Sequence, residues 1–190
     1  MIKRDEALNL ARKYIKTENT IKHMIATEAI MRALAKKLEP EKEAVWAITG
    51  LLHDLDYEVI TDKNKEHGKK TVEILTREKI DIPEEVKSAI LAHCCNLYPE
   101  HQPKNKMEWA LFTCDSLTGL IVAVALVHPE RKLALVKTKS VMKKFKQPSF
   151  AAGTRREEIA LCERELGIPL IEFIELALKA MQTAAPELGL

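Results

Sequence analysis

The sequence predicts an all-α protein, a single domain over residues 1–190 with a helical extension after its core. Three observations predict this class. Apolar residues recur at three- to four-residue steps through most of the chain. No run alternates at period two, and no Asn-Gly or Asp-Gly pair offers a hairpin turn. No repeat, low-complexity tract or linker divides the 190 residues, and this length allows one substantial core.

The elements follow in order. Ile21, Ile25, Ala29 or Met31, Leu34 and Leu38 share a helical face after Thr20, which is read as an N-cap. Pro40 closes that helix and opens the next, which carries Val45, Trp46, Ile48, Leu51 and Leu52. Val72, Ile74 and Leu75 mark a helix after His67-Gly68. Pro83 suits a first helical position, Glu84 and Glu85 suit the positive end of the dipole, and the helix runs to His93. A long helix spans about Lys106 to Val127, and Gly119 on it is read as a point of close helix approach. Further helices are expected to begin near Pro129, Ser140, Thr154 and Pro169, with Gly167 and Gly189 as stops. The last of these, Leu170 to Met181, is apolar on more than one face, so it packs internally or against another subunit of a homo-oligomer.

Composition narrows the functional classes. Hydrophobic residues make up 46% of the chain, which argues against disorder. Basic and acidic residues nearly balance, 30 against 28, so net charge gives no reason to expect nucleic acid or a membrane as partner. The longest apolar run, Leu117 to Val127, is too short to span a bilayer and reads as a buried helix. The charged start, Met-Ile-Lys-Arg-Asp-Glu-Ala, is unlike a signal sequence, and Cys94, Cys95, Cys114 and Cys162 lack C-x-x-C spacing. Reduced thiols in the cytoplasm are the expectation. Cys94 and Cys95 adjoin His93, so a thiolate ligand stands beside the reading of small buried hydrophobes.

Chemistry is concentrated in a few polar residues set in apolar helices. Ala-Ile-Thr-Gly-Leu-Leu-His-Asp ends in the adjacent pair His53-Asp54. His23 lies in Ile-Lys-His-Met-Ile-Ala, His93 ends Ala-Ile-Leu-Ala-His, and Asp115 interrupts a long apolar helix. A carboxylate in such a setting needs a cation or strong hydrogen bonds. Imidazoles and carboxylates together are the ligands of hydrolytic metal sites.

The order His23, His53-Asp54, Asp115 resembles the HD-domain superfamily of metal-dependent phosphohydrolases, over about residues 20–127. Where a common HDIG form of the motif reads His-Asp-Ile-Gly, this chain reads His-Asp-Leu-Asp, which adds Asp56 near the site. The resemblance implies a divalent metal held by His23, His53, Asp54 and Asp115, with His53 and Asp54 also assigned the catalytic role. Binuclear members carry two further histidines between the His-Asp pair and the final Asp, and His67 and His93 match that order; Asp54 would then bridge two ions. Iron or manganese is the first expectation, with magnesium, cobalt, nickel and zinc as other candidates. Asp56 and Glu58 are second-shell candidates by proximity in sequence. His101 and His128 lie in loop-like segments and are expected to be uninvolved.

The implied activity is hydrolysis of a small phosphate ester, a nucleotide or dinucleotide, by a metal-activated hydroxide. The resemblance leaves two other classes open, a diiron oxygenase and a metal-binding signalling or interaction module without turnover. From Arg131 to Arg156 no acidic residue occurs. Lys143, Lys144, Lys146, Arg155 and Arg156 are read there as contacts to an anionic substrate or as a solvated basic face, with nucleic-acid binding a third reading that the absence of an RNA or DNA motif disfavours.

Overall fold

A computed structural model describes residues 1–190, and it contains helices and turns with no strand. The first helix, α1 (Arg4–Tyr14), falls in a segment whose pattern is faint. Its buried face is only Ala7, Leu10 and Ala11, too small a stripe to stand out among charged neighbours. Asp5 and Glu6 in its first turn and Arg12 and Lys13 in its last suit the helix dipole.

Helix α2 (Glu18–Leu38) begins one turn earlier than Thr20, with Thr17 at the N-cap. Its entry is held from outside: the Glu58 carboxylate accepts the backbone N–H groups of Lys16 at 2.7 Å and Thr17 at 2.9 Å. After a 3-10 turn at Pro40–Lys42, α3 (Glu43–Leu52) packs along α2. Gly50 makes this packing possible. A Cβ there would stand 2.9 Å from backbone atoms of Thr27 and Glu28. The close approach expected at Gly119 is found at Gly50 instead; Gly119 has nothing within 4 Å of a built Cβ and faces an open cavity.

Helices α4 (Lys63–Glu66), α5 (Lys69–Arg77) and α6 (Glu84–Ala92) follow, with α6 packed on α3 and α5 on α6. Pro83 is the N-cap of α6 rather than its first residue, and His93 is the C-cap. Helix α7 (Lys106–Val127) contacts α2, α3, α6 and the later helices. The helix that holds the Leu117–Val127 run is long and apolar enough to cross a membrane by composition, but 61% of its most apolar window is buried inside the protein. It is a core helix here.

Beyond α7, no α-helix starts at Pro129. Arg131 takes a left-handed φ of 50° and a 3-10 turn follows at Leu133–Leu135. Helix α8 (Thr138–Phe145) starts before Ser140, and α9 (Arg156–Ala160) starts after Thr154, so neither hydroxyl caps a helix. Helices α10 (Cys162–Leu166), α11 (Leu170–Thr183) and α12 (Ala185–Leu188) complete the chain, and Gly167 and Gly189 both close helices at φ 67°. Phe173, Ile174, Ala177, Leu178 and Met181 of α11 are buried within the chain, against α2, α7 and α8. One hydrophobic cluster runs from Ala7 to Leu188, with Trp46 and Phe173 among its largest members.

Candidate metal centre

Five helices deliver polar groups to one point beside this core. His23 projects from the second turn of α2, and Asp115 from the middle of α7. His53, His67 and His93 are the C-caps of α3, α4 and α6, and Asp54 follows His53 in the turn. Residues scattered over more than 90 positions therefore meet. His23 Nε2 lies 3.1 Å from Asp115 Oδ1, 3.5 Å from Asp54 Oδ2 and 3.3 Å from His53 Nε2. Asp54 Oδ1 lies 3.4 Å from His53 Nε2, 3.5 Å from His67 Nε2 and 3.7 Å from His93 Nε2. The His67 and His93 Nε2 atoms are 3.3 Å apart. Asp54 stands at the middle, one oxygen toward three imidazoles and the other toward the fourth.

The far nitrogen of each ring determines what the near one offers. His53 Nδ1–H donates to the Gly50 carbonyl at 2.8 Å, and His93 Nδ1–H donates to the Ile90 carbonyl. The Thr118 hydroxyl donates to the Asp115 carbonyl at 2.7 Å, so its oxygen accepts His23 Nδ1–H at 2.9 Å. His67 Nδ1–H donates to Asp56 Oδ1 at 2.9 Å. In every neutral ring the proton sits on Nδ1 and the Nε2 lone pair points into the cluster. Metal-ligating histidines are oriented by such partners. The donor set fits a divalent ion: His23, His53 and Asp115, then His53, Asp54 and His93, then His67, His93 and Cys94 form overlapping groups that could hold metal.

Asp56, the departure from the common motif, is fully buried. Its Oδ2 accepts the Gly68 N–H at 2.6 Å and the Thr71 N–H at 3.2 Å, closing the start of α5. Thus one carboxylate fixes both a helix terminus and the His67 ring. Glu58, the other candidate neighbour, turns away to cap α2 and takes no part in the cluster.

Without metal the cluster stores protons. Burial opposes charge on His23, yet its hydrogen bonds to Asp115 and Asp54 prevail and raise its pKa to about 10. His67, also opposed by burial, is raised to about 10 chiefly by Asp56. Asp54 and Asp115 are held well below the usual carboxylate range, because the surrounding imidazoles outweigh the cost of burial.

The cluster forms the floor of an open cavity of about 820 Å³. Of the basic residues expected to meet substrate, only Arg155 lines it. Its guanidinium donates to Asp115 Oδ2 at 3.1 Å and Glu158 Oε2 at 2.5 Å, and Glu158 also accepts from Asn96. Arg156 points the other way. It donates to the carbonyls of Phe145, Gln147, Phe150, Ala151 and Thr154, tying together the loop that forms one cavity wall. Lys143 and Lys146 are exposed, and Lys144 is occupied by Gln147 and the Phe150 ring; none of the three lines the cavity. A density of lysines in sequence does not say which way they face.

Other wall residues escaped the sequence reading. Tyr57 is 41% exposed, stands edge-on to His67 and carries Lys63 Nζ over its ring at 3.5 Å. Asn19, Thr20, Asn96, Leu97, Ser116 and residues 151–154 also line the cavity. Thr118, one turn beyond Asp115, was recoverable from spacing alone. His101 and His128 lie outside the cavity, His101 near Glu100 and His128 against the Glu130 backbone.

An all-helical chain whose buried His/Asp cluster could hold divalent metal is the class this fold and site define. Residues 20–125, more than half the chain, match the family model described as HD domain, and the protein belongs to that family. No curated protein and no solved structure matches it.

Proposed function

We propose that the chain is a metal-dependent phosphohydrolase acting on a small phosphate ester, a nucleotide or dinucleotide. In this reading His23, His53, Asp54 and Asp115 hold one divalent ion, and Asp54, His67 and His93 hold a second. The observation that carries it is the central position of Asp54, whose Oδ1 lies 3.4–3.7 Å from three Nε2 atoms while Oδ2 lies 3.5 Å from the fourth. Oδ2 faces His23 of the first position and Oδ1 faces His67 and His93 of the second, with His53 of the first position also beside Oδ1, so Asp54 would be shared by both positions. Divalent ions at such a centre acidify a bound water and neutralise charge on phosphoryl oxygens.

The chain's own groups supply the rest. Arg155, at the cavity wall beside Asp115, would pair with phosphoryl oxygens by charge-assisted hydrogen bonds. Asp115 would then turn wholly to the metal. Lys63 adds positive charge at the Tyr57 wall. A cavity of about 820 Å³ admits a nucleotide-sized ligand.

The test is elemental analysis of protein purified without chelators, followed by phosphate release from a panel of nucleoside monophosphates, dinucleotides and cyclic dinucleotides. Two ions per chain with metal-dependent release support the reading. Metal-dependent oxygen uptake without phosphate release would replace it with an oxygenase. Metal bound with no turnover on either assay would replace it with a metal-holding interaction module.

A further inference from the structure

Cys94 is the only cysteine lining the cavity. Its Sγ lies 3.4 Å from His93 Nε2 and 3.6 Å from His93 Nδ1, and His67, His93 and Cys94 form a group able to hold an ion. Ligand atoms around one small divalent ion must keep definite separations. With metal–nitrogen bonds of about 2.0–2.1 Å and a metal–sulfur bond of about 2.3 Å, tetrahedral angles place nitrogens about 3.4 Å apart and nitrogen and sulfur about 3.6 Å apart. The His67 and His93 Nε2 atoms, 3.3 Å apart, have this spacing, whereas Cys94 Sγ, 3.4 Å from His93 Nε2 and 3.6 Å from Nδ1, rests beside the ring and would reach the ion by turning about its Cα–Cβ bond. Asp54 Oδ1 stands 3.5 and 3.7 Å from the two imidazoles and supplies the fourth direction.

The local backbone makes room for this sulfur. Gly68 has a φ of 78°, and a Cβ there would meet Sγ at 3.0 Å and the Ile90 carbonyl at 3.2 Å. The other cysteines are differently placed. Cys114 Sγ leans on the Leu111 carbonyl inside α7, Cys162 lies in the hydrophobic core, and Cys95 is buried outside the cavity wall.

We infer that Cys94 is a thiolate ligand of the second ion, giving that position two imidazoles, one thiolate and the shared Asp54 carboxylate. This rests on the metal-centre reading above. On binding, a sulfur–metal bond forms, the S–H bond breaks and the proton leaves to solvent. The first position, with imidazoles and carboxylates only, has no sulfur. Thiolate selects softer ions, so the second position takes zinc, iron or cobalt in preference to magnesium or manganese.

Cobalt reports the difference optically. The full chain is reconstituted with cobalt(II), its cobalt content measured, and its near-ultraviolet spectrum recorded for wild type, Cys94→Ser, Cys94→Asp and Cys95→Ser. The expected result is a sulfur-to-cobalt charge-transfer band in wild type and Cys95→Ser. Both Cys94 variants should lose it, with Cys94→Asp keeping the second ion through a carboxylate. Cobalt bound without the band overturns the thiolate but leaves the phosphohydrolase reading standing. A band that survives Cys94→Ser also overturns it. No cobalt bound overturns both. Should the Cys94 variants fail to fold, retention of the band in Cys95→Ser, Cys114→Ser and Cys162→Ser assigns it to Cys94, and its loss in any of these overturns the assignment.

Discussion

Asp56 accepts the Nδ1 proton of His67 at 2.9 Å while its second oxygen holds the backbone of Gly68 and Thr71. The ring is thereby fixed with Nε2 toward Asp54. Asp56→Asn keeps the shape but can present an amide N–H where a carboxylate stood. Outer-shell carboxylates of this kind are worth about 10–100-fold in metal affinity. Titration calorimetry should find the second ion weakened by that range and the first little changed. Equal weakening of both would mean that Asp56 acts on the fold and not on His67.

Gly50 sets the distance between the helices that carry His23 and His53. A Cβ 2.9 Å from the Thr27 carbonyl group cannot be absorbed by a side-chain rotation, because the obstacle is backbone. Gly50→Ala should cost about 1–3 kcal/mol, the usual range for overpacking. A denaturation midpoint equal to wild type would show that the helices part without penalty.

Protonation should oppose metal. His23 and His67 have folded pKa values of about 10, above the ordinary 6.5 of an unfolded histidine. In metal-free protein their ion pairs therefore stabilise the fold fully below pH 6.5, and that contribution is lost as pH rises through 10. An incoming ion must displace the same protons. Metal affinity should rise from pH 6 to 9, and calorimetry in buffers of different ionisation enthalpy should record protons released on binding. The metal-free Tm should fall between pH 7 and 10. Affinity independent of pH would mean the imidazoles bind as free bases from the start.

The basic segment should divide sharply by residue. Arg155→Gln removes a charged donor at the cavity wall, worth about 1.5–3 kcal/mol, so kcat/KM for an anionic substrate should drop roughly 10- to 100-fold. Lys143→Ala and Lys146→Ala, both outside the cavity, should stay within about twofold of wild type by the small worth of exposed charges. If the lysine variants lose more than Arg155→Gln, substrate crosses a different face.

Arg156→Ala should act on stability first. It leaves the carbonyls of Phe145, Gln147 and Phe150 without their guanidinium donor. Limited proteolysis should cut the 145–154 loop faster, while metal content stays the same. Loss of metal together with the loop would show that this wall supports the ligands as well.

Much of this was legible in the chain. Helical periodicity and the absence of hairpin signals determined the all-α class, because burying one face of a helix imposes a repeat that any compact fold must satisfy. The same logic marked Asp115, whose charge has no place in an apolar helix without a partner. Lys106 to Val127 needed no tertiary information, since its length and composition leave no other element. What the sequence left open was direction. Whether Asp56 or Glu58 faces the cluster and whether Arg155 or Arg156 faces the cavity depend on the path of turns and helix starts between packed elements, and the close approach read at Gly119 falls at Gly50 because contact between helices distant in the chain decides it. Neighbouring residues of like chemistry look alike in a sequence, and only the tertiary structure gives Asp56 to His67, Glu58 to α2, Arg155 to Asp115 and Arg156 to its own loop.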